Sequence, residues 1–354
     1  MLNRKLKAIL VGIALLTIGT GIIGCSAATT ETALKADAGQ DSTADISDQE
    51  SASVKEAVLE KVVKPSFTAE GIRALSVVNQ GQETFAISYN PKAYKSEFDY
   101  WEISVPYEGL NCTDTEAIYK LYGILAGMDF SNEAAVAAGT DTGIEDTENI
   151  IALQFIQSDG TEDSASPDGN SEAAILIGNE DGSGNYYAAV QGYEDKVYLL
   201  NKGIVDSALS INPFDYILKI STLVNIDSIT DVEITVGEET HLISKEGESY
   251  KFDGKEVVKK EFTTLYQALQ FIILDSELAD AGEKDSESQS ATDKRNPVLS
   301  IVYHRSSEEA PEISVDYYEL DKTGYSVETN GMERFRVPRE DVDALVDTIK
   351  AAFK

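Results

Sequence analysis

Two histidines, two cysteines and 62 carboxylates are the residues of this chain best suited to chemistry, and their placement limits what they can do. His241 and His304 both fall inside strand-like runs, where a lone histidine reads as a cross-strand partner. Neither belongs to an H-E-x-x-H pair, and residues 25–354 lack C-x-x-C, G-x-S-x-G, Walker and G-x-G-x-x-G patterns. A zinc site would need His or Cys ligands that are not spaced for it. Carboxylates are so frequent that spacing singles out no glycosidase-like pair. The expectation is a chain with no catalytic residue, no metal and no cofactor.

Two other groups have the chemistry for binding. The run Asn179-Glu180-Asp181-Gly182-Ser183-Gly184-Asn185 alternates oxygen side chains around glycine, as calcium loops do. It offers Asn179, Ser183 and Val190 where an EF-hand needs Asp, Asp or Asn, and Glu. It also separates two strand-like runs, so a tight turn is the expectation. Trp101, Tyr186-Tyr187, Tyr193, Tyr317-Tyr318 and Tyr325 could stack on sugars or a partner. In a strand, however, one of each adjacent tyrosine pair must face the core.

Cys25 is different. Arg4, Lys5 and Lys7 precede an uncharged, mostly apolar run from Ala8 to Ile23, which ends in Ile22-Ile23-Gly24-Cys25-Ser26. The run is shorter than the ~20 residues a spanning helix needs, so residues 1–24 read as a secretory signal. The residues before the cysteine resemble the lipobox of bacterial lipoproteins, which implies cleavage before Cys25 and lipid on its thiol. At ~0.8 kcal/mol per buried CH₂, two or more acyl chains make a stable tether. Loss of the leader's three basic residues takes the formal net charge from −33 to −36. Such a surface repels nucleic acid and anionic headgroups alike, leaving the lipid to do the anchoring. Cys112 then has no intramolecular partner, so stability rests on an apolar core. The expected location is the outer face of the cytoplasmic membrane.

These groups are positioned by an α+β body in two tandem repeats of mostly antiparallel sheet with packed helices. Residues 25–65 read as a flexible stalk, poor in large apolar side chains, with a short helix before Pro65. The first repeat, 66–225, has strand-like runs at Ile72–Val78, Glu83–Tyr89 and Tyr100–Val105. A helix follows, opened by a Thr113-Asp114-Thr115-Glu116 capping box, with Ile118, Leu121, Tyr122, Leu125 and Met128 on its stripe. Four more strands (Ile150–Ile156, Ala173–Ile177, Tyr186–Gln191, Lys196–Leu200) precede an apolar stretch, Ile204–Leu218. The second repeat, 226–354, restates the pattern. Its strands are Asp231–Val236, Thr240–Ser244 and Ser249–Phe252, then a helix at Glu261–Leu274 carrying Leu265-Tyr266 where the first carries Leu121-Tyr122. Val298–His304, Glu312–Tyr318, Gly324–Glu328 and Arg334–Val337 follow, with a closing helix over Arg339–Phe353. The acidic, Ser- and Gly-rich segments 158–172 and 279–295 read as loops.

The runs I-I-A-L-Q-F, A-A-I-L-I-G-N, G-N-Y-Y-A-A-V and K-V-Y-L-L-N, with D-V-E-I-T-V and L-I-S-K-E-G-E-S-Y-K-F-D-G-K later, resemble the domain-of-unknown-function 4340 family over Phe67 to Phe353. That resemblance implies a membrane-tethered protein, some of whose relatives neighbour subunits of ABC-type exporters. It carries over no site residue other than Cys25. The expected function is a non-catalytic accessory or interaction module at the cell surface, associated with an ABC-type exporter complex. One alternative is a small-molecule or glycan binder with its site between the repeats; another is an enzyme of unrecognised type.

Overall fold

Alternating apolar residues joined by glycine-rich turns fold into two antiparallel sheets in a computed structural model of the chain, which describes residues 60–89, 101–108, 112–158, 170–278, 295–307 and 310–354. The leader, Cys25, the stalk up to residue 59 and most of both acidic segments lie outside the described residues.

The first sheet is built from β1 (Glu60–Lys61), β2 (Ile72–Asn79), β3 (Gln82–Tyr89), β4 (Trp101–Val105), β5 (Ile150–Ile156), β6 (Asn170–Glu180), β7 (Asn185–Val190) and β8 (Val197–Asn201). Helix α1 (Thr115–Leu125) follows β4, and α2 (Lys202–Leu209) follows β8. The second sheet comprises β9 (Ile229–Val236), β10 (Glu239–Glu246), β11 (Ser249–Phe252), β12 (Lys255–Val257), β13 (Ser276–Glu277), β14 (Leu299–Arg305), β15 (Glu312–Glu319), β16 (Gly324–Thr329) and β17 (Met332–Pro338). Helix α3 (Lys259–Ala268) follows β12, and α4 (Arg339–Ala352) closes the chain.

The first sheet runs β4-β3-β2-β5-β6-β7-β8, and the second runs β12-β11-β10-β9-β14-β15-β16-β17-β13. Stripped of β12 and β13, the second path visits its strands in the same sequence as the first. On the core face Val77 pairs with Ile151 and Ile151 with Ile175. Ile234, Ile301 and Val315 make the corresponding row in the second sheet. The helices bury their stripes on these faces: Ile118, Leu121, Tyr122 and Leu125 in α1, and Phe262, Leu265, Tyr266 and Leu269 around α3.

The outer faces differ. On the second sheet Asp231, Glu233, Thr235, Ser300, His304, Ser314, Asp316 and Glu328 alternate with core residues, as in a solvated antiparallel face. The first sheet instead carries buried Ala74, Val78, Ile150, Ala152, Leu176 and Ala189 there, separate from the main core. The connection from α1 to β5 covers part of this layer. It passes the open edge of β8, where the Ala134 N–H donates to the Val197 carbonyl at 2.7 Å, and then crosses β6 with Ile144 buried beneath it. The glycine of I-L-I-G-N answers to this crossing, since a Cβ on Gly178 would run into the Thr142 carbonyl oxygen. The connection after α3 guards β17 in the same way, with Asp275 N–H donating to Arg336 and Leu278 N–H to Arg334, both at 2.8 Å.

Several expectations are corrected. Glu60–Lys61 do not end a stalk helix; they pair parallel to Ser171–Glu172, supplying partners to the part of β6 beyond the reach of β7. Residues 170–172 therefore belong to a strand, not a loop. The first helix is capped by Asp114, one residue later than expected, whose carboxylate accepts the Ala117 N–H at 3.0 Å; Thr113 is held in a bridge to Ile217. The second-half helix stops at Ala268 rather than Leu274. The Gln270 amide donates to and accepts from the Val224 backbone, and Ile272 and Leu274 enter strand-like pairing with residues 219–221. The stretch Ile204–Leu218 divides into α2 and a 3₁₀ turn, Pro213–Tyr216.

Candidate functional site

The most organised polar constellation occurs twice, once at the start of α2 and once at the start of α4. Cross-strand register sets Glu180 opposite Tyr186, and Tyr186 opposite Leu200. In the second sheet the same relations join Glu319, Tyr325 and Val337. Two residues further on stands a cation, Lys202 or Arg339, and one helical turn after that an aspartate, Asp206 or Asp343. The i,i+4 spacing brings cation and aspartate to one helix face.

In the first copy Lys202 Nζ lies 4.8 Å from the Tyr186 ring centre, 2.9 Å from its hydroxyl and 2.9 Å from Glu180. The Tyr186 hydroxyl donates to Asp206 at 3.0 Å. In the second copy the Arg339 guanidinium lies 4.3 Å from the Tyr325 ring centre, donates to its hydroxyl at 2.7 Å and sits 3.4 Å from Glu319. The Tyr325 hydroxyl donates to Asp343 at 2.7 Å. A cation in the first turn of a helix opposes the helix dipole, so the tyrosine and the two acids must hold it there. Burial, together with the bond to Asp343, pushes the Tyr325 phenol up to about 12. At Tyr186 the Lys202 contact acts downward, but burial and Asp206 outweigh it and the phenol is raised.

The second copy borders a shallow cleft of ≈ 460 Å³ lined by Glu319, Leu320, Asp321, Lys322 and Arg339. Asp321 ties its floor, accepting from Thr323 N–H at 2.7 Å and Gly324 N–H at 2.9 Å. These bonds, the Thr323 hydroxyl and nearby Arg336 draw its carboxyl down to about 2. Arg336 lies flat on Gly324, where any Cβ would meet its guanidinium at 2.7 Å. Each quartet thus commits its own charges to fastening a helix to a hairpin.

The expected candidates are also engaged. His241 stacks on Phe353 with ring centres 4.0 Å apart, and its Nδ1 is 2.9 Å from Asp253. His304 stands in a row across β9, β14 and β15, 3.8 Å from Asp231 and 3.7 Å from Glu312. In the Asn179–Asn185 turn, the Asp181 carboxylate accepts from Ser183 N–H, Asn185 N–H and the Asn185 amide. Among the tyrosines, Tyr317 is buried and donates to Ser221 at 2.8 Å, while Tyr318 lies under Arg295. Trp101 is buried between Tyr89 and Tyr122. Cys112 is half-buried, and its carbonyl accepts the Leu218 N–H at 2.9 Å. Among the described residues, no group of three His, Cys, Asp or Glu could hold a metal ion, and no helix is long and apolar enough to cross a membrane.

The halves meet through a packed seam. Tyr107, fully buried, packs against Phe335 with ring centres 5.5 Å apart and tilted by 48°, and donates to Glu277 at 2.8 Å. Phe214 approaches the other side of the seam, 5.9 Å from Phe335, and Arg334 lies 3.7 Å from Glu108. The Glu–Tyr–cation–Asp quartets are absent from the expectations, although the run Glu180-Asp181-Gly182-Ser183-Gly184-Asn185-Tyr186 and the run Glu319-Leu320-Asp321-Lys322-Thr323-Gly324-Tyr325 carry the same Glu-to-Tyr spacing. No family model, curated protein or solved structure matches the chain.

Proposed function

We propose that this chain is an extracytoplasmic lipoprotein, anchored through Cys25 to the outer face of the cytoplasmic membrane, whose body is a duplicated, non-catalytic interaction module. The membrane part of the reading rests on the basic start, apolar run and Ile-Ile-Gly-Cys ending of residues 1–25. The duplication is supported by the shared strand order, by the two quartets, and by the ring pairs Phe85–Tyr216 and His241–Phe353 at corresponding places.

The observation that carries the module reading is the filled seam. Tyr107 and Phe214 pack against Phe335 across the join of the halves, which favours a filled seam over a ligand cleft at that place. Working surfaces are then the outward ones, which suits a body that docks onto a partner better than one that closes on a small molecule. Association with an ABC-type exporter is the form of partner implied by the resemblance.

Extraction of the full-length protein in mild detergent tests this. We expect fatty-acid mass on a chain beginning at Cys25 and co-purification of a membrane protein. An intact leader would remove the anchor; recovery of a lone monomer would remove the module.

A further inference from the structure

The two halves differ on one outward surface, in the segments that follow Leu125 and Leu269. After Leu125 the chain buries Met128 and Phe130 and exposes Gly127 before them and Asp129 between them. After Leu269, at the same spacing, it buries Ile272 and Leu274 and exposes Phe271 and Ile273. The buried pair is apolar in both halves because it faces the core. The outward pair is glycine and aspartate in one half and phenylalanine and isoleucine in the other; a Cβ on Gly127 would meet Ile204 at 2.9 Å, so the contrast in polarity is that of Asp129 with Ile273. Phe271 remains 56% exposed and Ile273 50% exposed. Half-buried Ile220 bridges directly to Ile273 and so shares its side. The neighbouring charges are already paired, Lys219 with Asp215 at 3.4 Å and Asp275 with Arg336 at 2.7 Å.

We infer that Phe271, Ile273 and Ile220 form the docking strip of this module, and that its occupant is an apolar, uncharged or basic surface on the extracytoplasmic side of an integral membrane protein. The occupant follows from area and charge. The strip exposes on the order of 200 Å² of apolar surface, whereas a stable complex buries about 800 Å² on each partner. A strip of that size holds a neighbour only when both are confined to one surface, where tethering raises the effective concentration. A second copy of this chain is disfavoured because, without the leader, each carries a formal charge of −36. Anionic headgroups are disfavoured for the same reason. The inference rests on the lipid-anchored module reading above.

The test uses the full-length protein in its own membrane, with the photo-crosslinking residue p-benzoylphenylalanine placed at position 271 or, as a control, at exposed Leu199 of the other half. We expect an adduct with a membrane protein from position 271 and none from 199. Co-recovery of that protein should fall about tenfold or more in the double variant Phe271→Ser/Ile273→Asp, whose outward residues follow the polar character of the first half. It should persist in Phe271→Leu/Ile273→Val, which keeps the strip apolar. An adduct between two copies, an adduct with lipid alone, or equal adducts from both positions would overturn the assignment. Undiminished recovery by the polar double variant would overturn the strip while leaving the module reading standing; no partner for the unsubstituted protein would overturn both.

Discussion

The ring of His241 lies parallel to that of Phe353, 4.0 Å away at 11°, in the place where Phe85 meets Tyr216 in the first half. The histidine therefore fills an aromatic packing position. Replacing it by its counterpart, His241→Phe, should change stability by less than ~1.5 kcal/mol, as shape-conserving swaps do, with the Leu242 N–H still donating to Asp253. His241→Ala should cost more, because the face of Phe353 loses its cover. Urea midpoints of the two variants decide the matter: an equal, large loss in both would mean that the ring nitrogens matter more than the stack.

Tyr325 is nearly buried, and its hydroxyl joins Arg339 to Asp343. Tyr325→Phe should destabilise the body by ~1–3 kcal/mol, the range for leaving such partners unsatisfied. Tyr186→Phe, in the more exposed copy, should cost less. Equilibrium denaturation of both variants gives the comparison.

Phe335 is the keystone of the seam, touching Tyr107 and Phe214. Phe335→Ala should cost ~3–5 kcal/mol and should split one calorimetric transition into two if the seam couples the halves. A single transition shifted to lower temperature would mean that coupling runs through the bridge of Ile220 to Ile273 instead.

Gly178 lies under the Thr142 carbonyl. Gly178→Ala should lift the connection off the first sheet and cost ~1–3 kcal/mol, the usual range for overpacking. Faster hydrogen exchange at the Asn179 amide, which donates to Thr142 at 2.7 Å, would report the displacement.

Acid should weaken the body through a defined set of carboxylates. Thr323 and Arg336 hold Asp321 at about 2. Asp227 is lowered by Lys245, and Asp181 by Asn185 and Ser183. Because these folded values lie below the unfolded aspartate value of ~3.9, their stabilisation is complete above that value and is lost as pH falls through the folded ones. The melting temperature should therefore drop between about pH 4 and pH 2. Asp321→Asn should flatten that drop. At the other extreme, the neutral Tyr325 phenol, raised to about 12, contributes stability below its unfolded value and loses it as pH rises through 12. Ultraviolet titration should find this tyrosine ionising late.

Much of the scaffold could be read from period and punctuation. The long strands of both sheets announce themselves because one apolar face repeats every second residue, whereas the short β12 and β13 do not, and the stripe Ile118, Leu121, Tyr122, Leu125 marks its helix. What escaped depended on partners distant in sequence. Glu60–Lys61 became a strand only because β6 outruns β7. The helix at Phe262 ended early because Gln270 was claimed by Val224, 46 residues away. Asp114 took the cap from Thr113, since Thr113 was drawn into pairing with Ile217. The quartets were legible only as a repeated interval, a Glu six residues before a Tyr, later followed by a cation four residues before an Asp, and individual motifs do not expose such a relation.

The last strand of each seven-strand path, β8 or β17, meets backbone from the connection that follows α1 or α3, at Val197 in one sheet and at Arg334 and Arg336 in the other. A bare strand margin is a template on which another molecule can grow, unit after unit. By occupying those margins from within, the chain can be crowded, many bodies side by side, without seeding fibrils along those two flanks.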